Sequence, residues 1–243
     1  MNIIKLDAIH STNDYLKSLL QKQFVENLTV VTAEHQFKGK GQMGSEWLVE
    51  SGKNLTFSIL VKDLLLEINA IFHLNVAVAV SIIETLSELQ INNLAIKWPN
   101  DILADNKKIG GILIENSIRN DGEIFSIVGI GVNVNQDSFE NLPNAGSLFS
   151  VSGKEFDKNK LLADLLQNLG RNISRVMNEN TASIWEKYHQ FLYKKNIPMA
   201  FETSDGQKFM GIIQEVTALG QLAVLLEDNV VKQFNIKEIR MLY

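Results

Sequence analysis

Gly39-Lys-Gly-Gln-Met-Gly44 spells G-x-G-x-x-G, and the residues immediately after it decide the fold. The pattern is a dinucleotide-binding fingerprint only when its glycine turn opens a crossover helix. Here it continues as Ser45-Glu-Trp-Leu-Val-Glu-Ser-Gly-Lys53 and then Leu55–Val61 (LTFSILV), a run of strand formers. With no helix behind the glycines, the doubly wound dinucleotide reading fails. The V-A-I-K, H-R-D and D-F-G partners of a protein-kinase glycine loop are also missing from the sequence. A general reading survives. Glycines let backbone N–H groups approach an anion, and Lys38 and Lys40 add positive charge. Hydrophobic periodicity is lost from Glu34 to Lys53, and a loop of ~20 residues inside a compact domain is usually functional. His35 stands beside this loop as a candidate ligand contact.

Upstream, Asn2–Leu6 reads as a strand and Ser11-Thr-Asn-Asp14 as a capping box opening a helix to Gln23. Leu28–Ala33 is a β-branched strand. Downstream, Asn69–Leu89 is apolar nearly all round and reads as a buried helix. Leu94–Trp98 is a strand stopped by Pro99. Ile102–Leu103, Asp105-Asn106 and Lys108–Glu115 read as strand, turn, strand; Asn120-Asp121-Gly122 is a further turn, and Glu123–Val134 a further strand. Phe139–Lys154 reads as a loop, then Asp157–Met177 and Ser183–Tyr193 as helices. After Asn196 come short strands with tight turns at Asp205-Gly206, Leu219-Gly220 and Asp228-Asn229, the pattern of a small antiparallel barrel. The expected domains are residues 1–195 and 196–243.

Composition narrows the function. The 243 residues carry 23 Lys+Arg against 28 Asp+Glu, a net charge of −5 that lacks the basic field of a nucleic-acid binder. There is no cysteine, which excludes a disulfide framework, a thiolate zinc site and a cysteine nucleophile. The N-terminus has no basic region followed by an apolar run, so a cytoplasmic protein is expected. His73, Asn75, Ser81 and Glu84 interrupt the apolar stretch Ile68–Leu89, favouring a buried helix over a membrane span. The four histidines show no ligand spacing.

Two more clusters carry candidate chemistry. In Lys97-Trp-Pro-Asn-Asp101, Asn100 and Asp101 occupy a proline-set corner, where an Asx-turn is the plain alternative. Nearby, Lys107-Lys108-Ile-Gly-Gly111 sets two glycines in an apolar strand, which fits close approach of a ligand or another backbone. In Gly129-Ile-Gly-Val-Asn-Val-Asn135, asparagines at i and i+2 share a face. They either end the strand or aim an amide oxygen at a metal or ligand.

Taken in order, these segments resemble biotin–protein ligases. The motifs are Ser11-Thr-Asn13, Gln36, Gly39-Lys-Gly-Gln-x-Gly44 with Trp47, Lys97-Trp-Pro-Asn-Asp101, Lys108-Ile-Gly-Gly-Ile-Leu-Ile-Glu115 and Gly129-Ile-Gly-Val-Asn133. They span residues 3–135, and the most specific is K-W-P-N-D followed by K-I-G-G. The resemblance implies an α+β fold: a mixed, mainly antiparallel sheet flanked by helices, like the class II synthetases, followed by an SH3-like β-barrel. It implies ATP-dependent formation of biotinyl-5′-AMP, then transfer of biotin to a lysine of a biotin carboxyl carrier protein. ATP and Mg²⁺ would be required, a homodimer is among the implied assemblies, and no nucleic acid or membrane partner is expected. With Ser11 ten residues after Met1, no helix-turn-helix domain is expected ahead of it.

Carried over by position, Ser11, Thr12, Asn13, Gln36, Lys40, Gly41, Gln42, Lys108 and Gly111 would meet biotin. Gly39, Lys40, Gln42, Met43, Gly44, Trp47, Asn100 and Asn133 would meet the nucleotide, with Trp98 framing it and Asn133 the one candidate metal ligand. Lys40, Lys108 and Asp101 would be catalytic, Asp101 orienting or deprotonating the incoming lysine. The family loop usually has arginine in place of Lys40, and some members a second in place of Gln42; lysine keeps the charge but loses the bidentate fork. The reaction asks the protein only for positioning and charge stabilisation, because the substrates bring both nucleophiles. The alternatives are a lipoate–protein ligase-like acyl ligase and a non-catalytic biotin-binding module.

Overall fold

A computed structural model describes residues 1–47, 49–62, 71–118, 124–140 and 142–242. Strand β1 (Ile3–Ile9) runs parallel to β2 (Val30–Gln36), with helix α1 (Thr12–Lys22) crossing between them. The other pairs in this sheet are antiparallel: β2 with β3 (Leu55–Val61), β3 with β7 (Ile124–Val132), β7 with β6 (Lys107–Ile118), β6 with β5 (Asp101–Ala104), and β5 with β4 (Leu94–Lys97). The order is β1-β2-β3-β7-β6-β5-β4, so the sheet is mixed and mainly antiparallel, as expected.

Central strand β3 is buried at every residue, yet its two faces differ. Leu55, Phe57, Ile59 and Val61 join the main core with α2 (Ile71–Glu88), α4 (Lys158–Met177) and α5 (Ala182–Gln190). Leu60 faces the opposite way and packs with Leu16 of α1, Val31 and Ile127. Thr56 and Ser58 share that second face by the two-residue strand period, so polar side chains line the sheet beside α1. Helix α2 is long and apolar enough to cross a membrane by length and composition, but two-thirds of it is buried inside the protein, against α4 and α5. Its expected first residues, Asn69 and Ala70, lie outside the described residues, as do the turn Asn120-Asp121-Gly122 and Glu123.

The segment Phe139–Lys154 is not all loop. Helix α3 (Leu148–Ser152) forms there, with a Ser147–Ser150 capping box and Gly153 at φ 69° ending it. A serine-only box lacks the Glu or Gln that marks this motif in sequence. After α5 comes a second, all-antiparallel sheet of β8 (Pro198–Thr203), β9 (Lys208–Val216), β10 (Leu222–Leu226), β11 (Val231–Phe234) and β12 (Ile239–Leu242), in the order β11-β10-β9-β8-β12. Its turns fall where expected, at Gly206, Gly220 and Asn229, all with positive φ. Phe201, Ile213, Leu222 and Val224 continue the main core into it.

Candidate active site

The first turn of α1 turns three successive side chains to three different elements. Ser11 caps the helix, its Oγ accepting from Asp14 N. Thr12 donates from N and Oγ1 to Gln36 Oε1 on β2, at 2.7 and 3.1 Å. Asn13 donates from Nδ2 to Glu115 Oε2 on β6 (2.7 Å) and accepts from Ser58 Oγ on β3 (2.5 Å). Lys17, one turn later, donates to Glu115 Oε1 at 2.5 Å. Asp14 meets Lys40, whose ammonium is 2.8 Å from Oδ1 and 2.7 Å from Oδ2. That hydrogen bond is the main reason the Lys40 pKa is raised, against a smaller opposing effect of burial.

The glycine loop folds back on itself as a narrow hairpin. Gly41 N donates to Ser45 O, Trp47 N donates to Gly39 O, and Lys40 pairs with Glu46. A short 3-10 turn (Gln42–Gly44) makes the tip, with Gly44 at φ 83°. The hairpin delivers Trp47 onto the sheet, where glycines make room. Gly111 and Gly131 are direct cross-strand partners. A Cβ on Gly131 would come within 2.4 Å of Trp47 Cε2, and one on Gly129 within 2.5 Å of Asn13 Oδ1. The two glycines of β7 therefore seat Asn13 and Trp47 side by side. Gly110 packs against the Gly131 carbonyl instead.

Between these parts lies a cavity of about 320 Å³, lined by Ser11, Thr12, Asn13, Gln36, Lys40, Gly41, Gln42, Trp47, Asn100, Asp101, Lys108 and Gly111. The size suits a small ligand with a few convergent polar groups. A second cavity of about 300 Å³, lined mostly by apolar surface, adjoins it and shares Glu46, Trp47 and Lys108; Asn133, Phe139, Leu142, Pro143, Asn144 and Ala145 complete its wall. Lys108 stands at the junction, 2.6 Å from Asp101 Oδ1 and above the Trp47 ring. The Trp47 indole N–H is buried over Gly131, with no hydrogen-bond partner among the described residues.

All nine residues expected around biotin line the first cavity. Those expected around the nucleotide divide. Trp47 reaches both cavities, Lys40, Gln42 and Asn100 only the first, and Asn133 only the second. The Asn100 amide is tied to Ile112 O at 2.6 Å. Gly39 and Gly44 are not wall residues: Gly39 lies against the Trp47 backbone and Gly44 is an exposed turn. The Met43 side chain lies outside the described residues. Trp98, in the turn just after β4, is buried and lines neither cavity, donating from Nε1 to Gly220 O in the turn between β9 and β10, which holds it in the core. His35 packs its ring on Phe37 rather than lining either cavity. Asn135 is a loop anchor, paired through its amide with the Phe156 backbone. Lys107 turns away to Pro143 O. Sequence reasoning missed Ser58, Glu115 and Ile236, which meet the site only through pairing and packing.

The Biotin/lipoate A/B protein ligase family matches residues 6–135, just over half the chain. The chain belongs to this family. Within it, the chain is 28% identical over 238 residues to the bifunctional ligase/repressor BirA of Escherichia coli (strain K12), covering 95% of this chain and 71% of that protein. It is 27% identical over 198 residues to the biotin--[acetyl-CoA-carboxylase] ligase of Mycobacterium tuberculosis (strain ATCC 25618 / H37Rv), covering 80% of this chain and 72% of that protein. Its fold matches the biotin protein ligase from Aquifex aeolicus in complex with biotin and ATP, with a TM-score of 0.82, 26% identity, and 99% and 98% of the two chains covered. In this biotin/lipoate ligase member, no three His, Asp or Glu side chains converge as a metal cage among the described residues.

Proposed function

We propose that this chain joins biotin to ATP as biotinyl-5′-AMP and then moves the biotinyl group to a lysine of a biotin carboxyl carrier protein. The observation that carries the reading is the pair of adjoining cavities with Lys108 at their junction. Biotin's ring system occupies the first, where the Thr12–Gln36–Ser58 network presents hydrogen-bonding groups for a ureido head. The nucleotide base occupies the more apolar second. The carboxylate and the α-phosphate then meet beside Lys108 and Lys40.

In the first step a biotin carboxylate oxygen attacks the α-phosphorus and pyrophosphate leaves. Lys108 and Lys40 offset the negative charge that gathers there. Asp101 fixes Lys108 in place. In the second step the carrier amine attacks the mixed anhydride carbonyl. An amide forms, and AMP and a proton leave. Mg²⁺ bound with the nucleotide would neutralise phosphate charge. The donor set fits an ion held chiefly by phosphate and water, with Asn133 the candidate protein oxygen.

Residues 1–195 are read as the catalytic domain and 196–243 as an SH3-like barrel. The five antiparallel strands and the reach of Ile236 into the first cavity support this. The net charge of −5 supports an enzyme working without nucleic acid; we read it as cytoplasmic, with a second copy of the chain a compatible partner. The test is the intact mass of a carrier domain after incubation with the protein, ATP·Mg and either biotin or lipoate. A biotinyl mass shift on one lysine, with AMP and pyrophosphate formed, is expected. A lipoyl shift, or biotin binding without pyrophosphate, would replace this reading.

A further inference from the structure

Lysine brings a point charge on a flexible stem rather than a pre-aimed fork, so a lysine that must meet one particular atom needs something to aim it. Lys40 sits on a hairpin arm at the cavity wall with its side chain about half exposed, where a free ammonium would sample many rotamers. Its ammonium has three N–H donors. Asp14 Oδ1 and Oδ2 lie 2.8 and 2.7 Å from it, a two-point grip that leaves one N–H for a ligand. Asp14 is itself held, because it belongs to the first turn of α1 and its N–H is bonded to the capping Ser11. That same turn supplies Ser11, Thr12 and Asn13 to the cavity. One helix terminus thus sets both the ring-binding groups and the loop cation.

We propose that Asp14 is a positioning residue that grips Lys40 over the cavity and aims its remaining N–H at the biotinyl carboxylate and then at the acyl-adenylate. The inference rests on the ligase reading above. Asp14 touches neither substrate; it acts through Lys40. It also ties the glycine hairpin to α1, so the grip slows opening of the loop over a bound adenylate.

The test uses the full chain with biotin and ATP·Mg but no carrier, and tracks the rate at which biotinyl-5′-AMP leaves the protein. Asp14→Asn should release it about fivefold faster, the scale of one partly exposed ion pair. Asp14→Glu should restore most of the retention. In a Lys40→Ala background, adding Asp14→Asn should change nothing further, because the two residues act as a unit. Asp14 also favours the start of α1 through its charge. That effect would appear in thermal melting and would be the same in both backgrounds, so the cycle separates it. Wild-type release by Asp14→Asn, or an Asp14→Asn effect undiminished beside Lys40→Ala, overturns the proposal and leaves the ligase reading standing. A wild-type chain that forms no adenylate overturns both.

Discussion

Lys108 Nζ stands 2.6 Å from Asp101 Oδ1 where the two cavities meet, joining the lysine-glycine strand to the proline-set corner. The pair spans β5 and β6 close to a register shift between Ile102 and Leu103, which places both side chains at one point. Lys108→Ala removes the cation at the cavity junction, which the proposed reaction sets beside the α-phosphate. Biotin-dependent pyrophosphate release should fall on the order of 10²-fold, the cost of losing one transition-state donor. Asp101→Asn should slow adenylation as well as transfer, because Lys108 loses its anchor. Single-turnover assays of the two steps check this. Slowed transfer with unchanged adenylation would assign Asp101 to the acceptor lysine instead.

Gly131→Ala tests the seat of Trp47. The added methyl would lie 2.4 Å from Cε2 and 2.5 Å from Cζ2 of the indole, so the ring must move. Overpacking of this kind costs about 1–3 kcal/mol. Because the ring also walls both cavities, we expect weaker biotin binding with a changed Trp fluorescence, measured by titration. Wild-type affinity would show that the indole's place is immaterial.

Tyr188→Phe should stabilise the protein by about 1 kcal/mol. The Tyr188 hydroxyl is fully buried with no hydrogen-bond partner among the described residues, and burial raises its pKa. Deleting it removes an uncompensated desolvation while the ring keeps its contacts with Trp185 and Phe72. A rise in the urea midpoint at constant m-value checks this, and a lower midpoint would mean the hydroxyl has a partner.

Acid should loosen the junction of α2 and α5. Trp185 Nε1 donates to His73 Nδ1 at 2.7 Å, which requires that nitrogen to be unprotonated. Burial lowers the His73 pKa below 6.5. The unfolded chain therefore binds the proton first as pH falls. The stability from the neutral ring is complete above pH 6.5 and is lost as pH falls through the lower, folded value. Urea midpoints from pH 7.5 down to 5, about the ordinary His range, should fall less steeply in His73→Gln. Parallel curves would remove His73 from the acid response.

Much of the site is readable in the chain because its residues are locally constrained. Ser11 is an N-cap, and the Gly39–Gly44 run forms a turn. The paired glycines of β6 and β7 lack any propensity reason to be in strands, and space for Trp47 and Asn13 supplies one. Trp98 misled because one aromatic beside a motif reads like another, and its indole is drawn into the core by a hydrogen bond to Gly220 O, more than a hundred positions away. Glu115 closes its motif with no legible role in the sequence, since its partners Asn13 and Lys17 lie about a hundred positions away.

Residue order alone determined most element types (α3 excepted), the missing crossover helix, the absence of thiol chemistry and the motif series, because these rest on periodicity, propensity and composition. Only the tertiary structure decided that α1 divides its first turn among Gln36, Glu115 and Lys40, that Lys108 stands between two cavities, and that Ile236 closes one of them. Those relations depend on strand pairing between distant segments. No local pattern encodes them, because each side chain's partner is set by register and packing rather than by its neighbours in the chain.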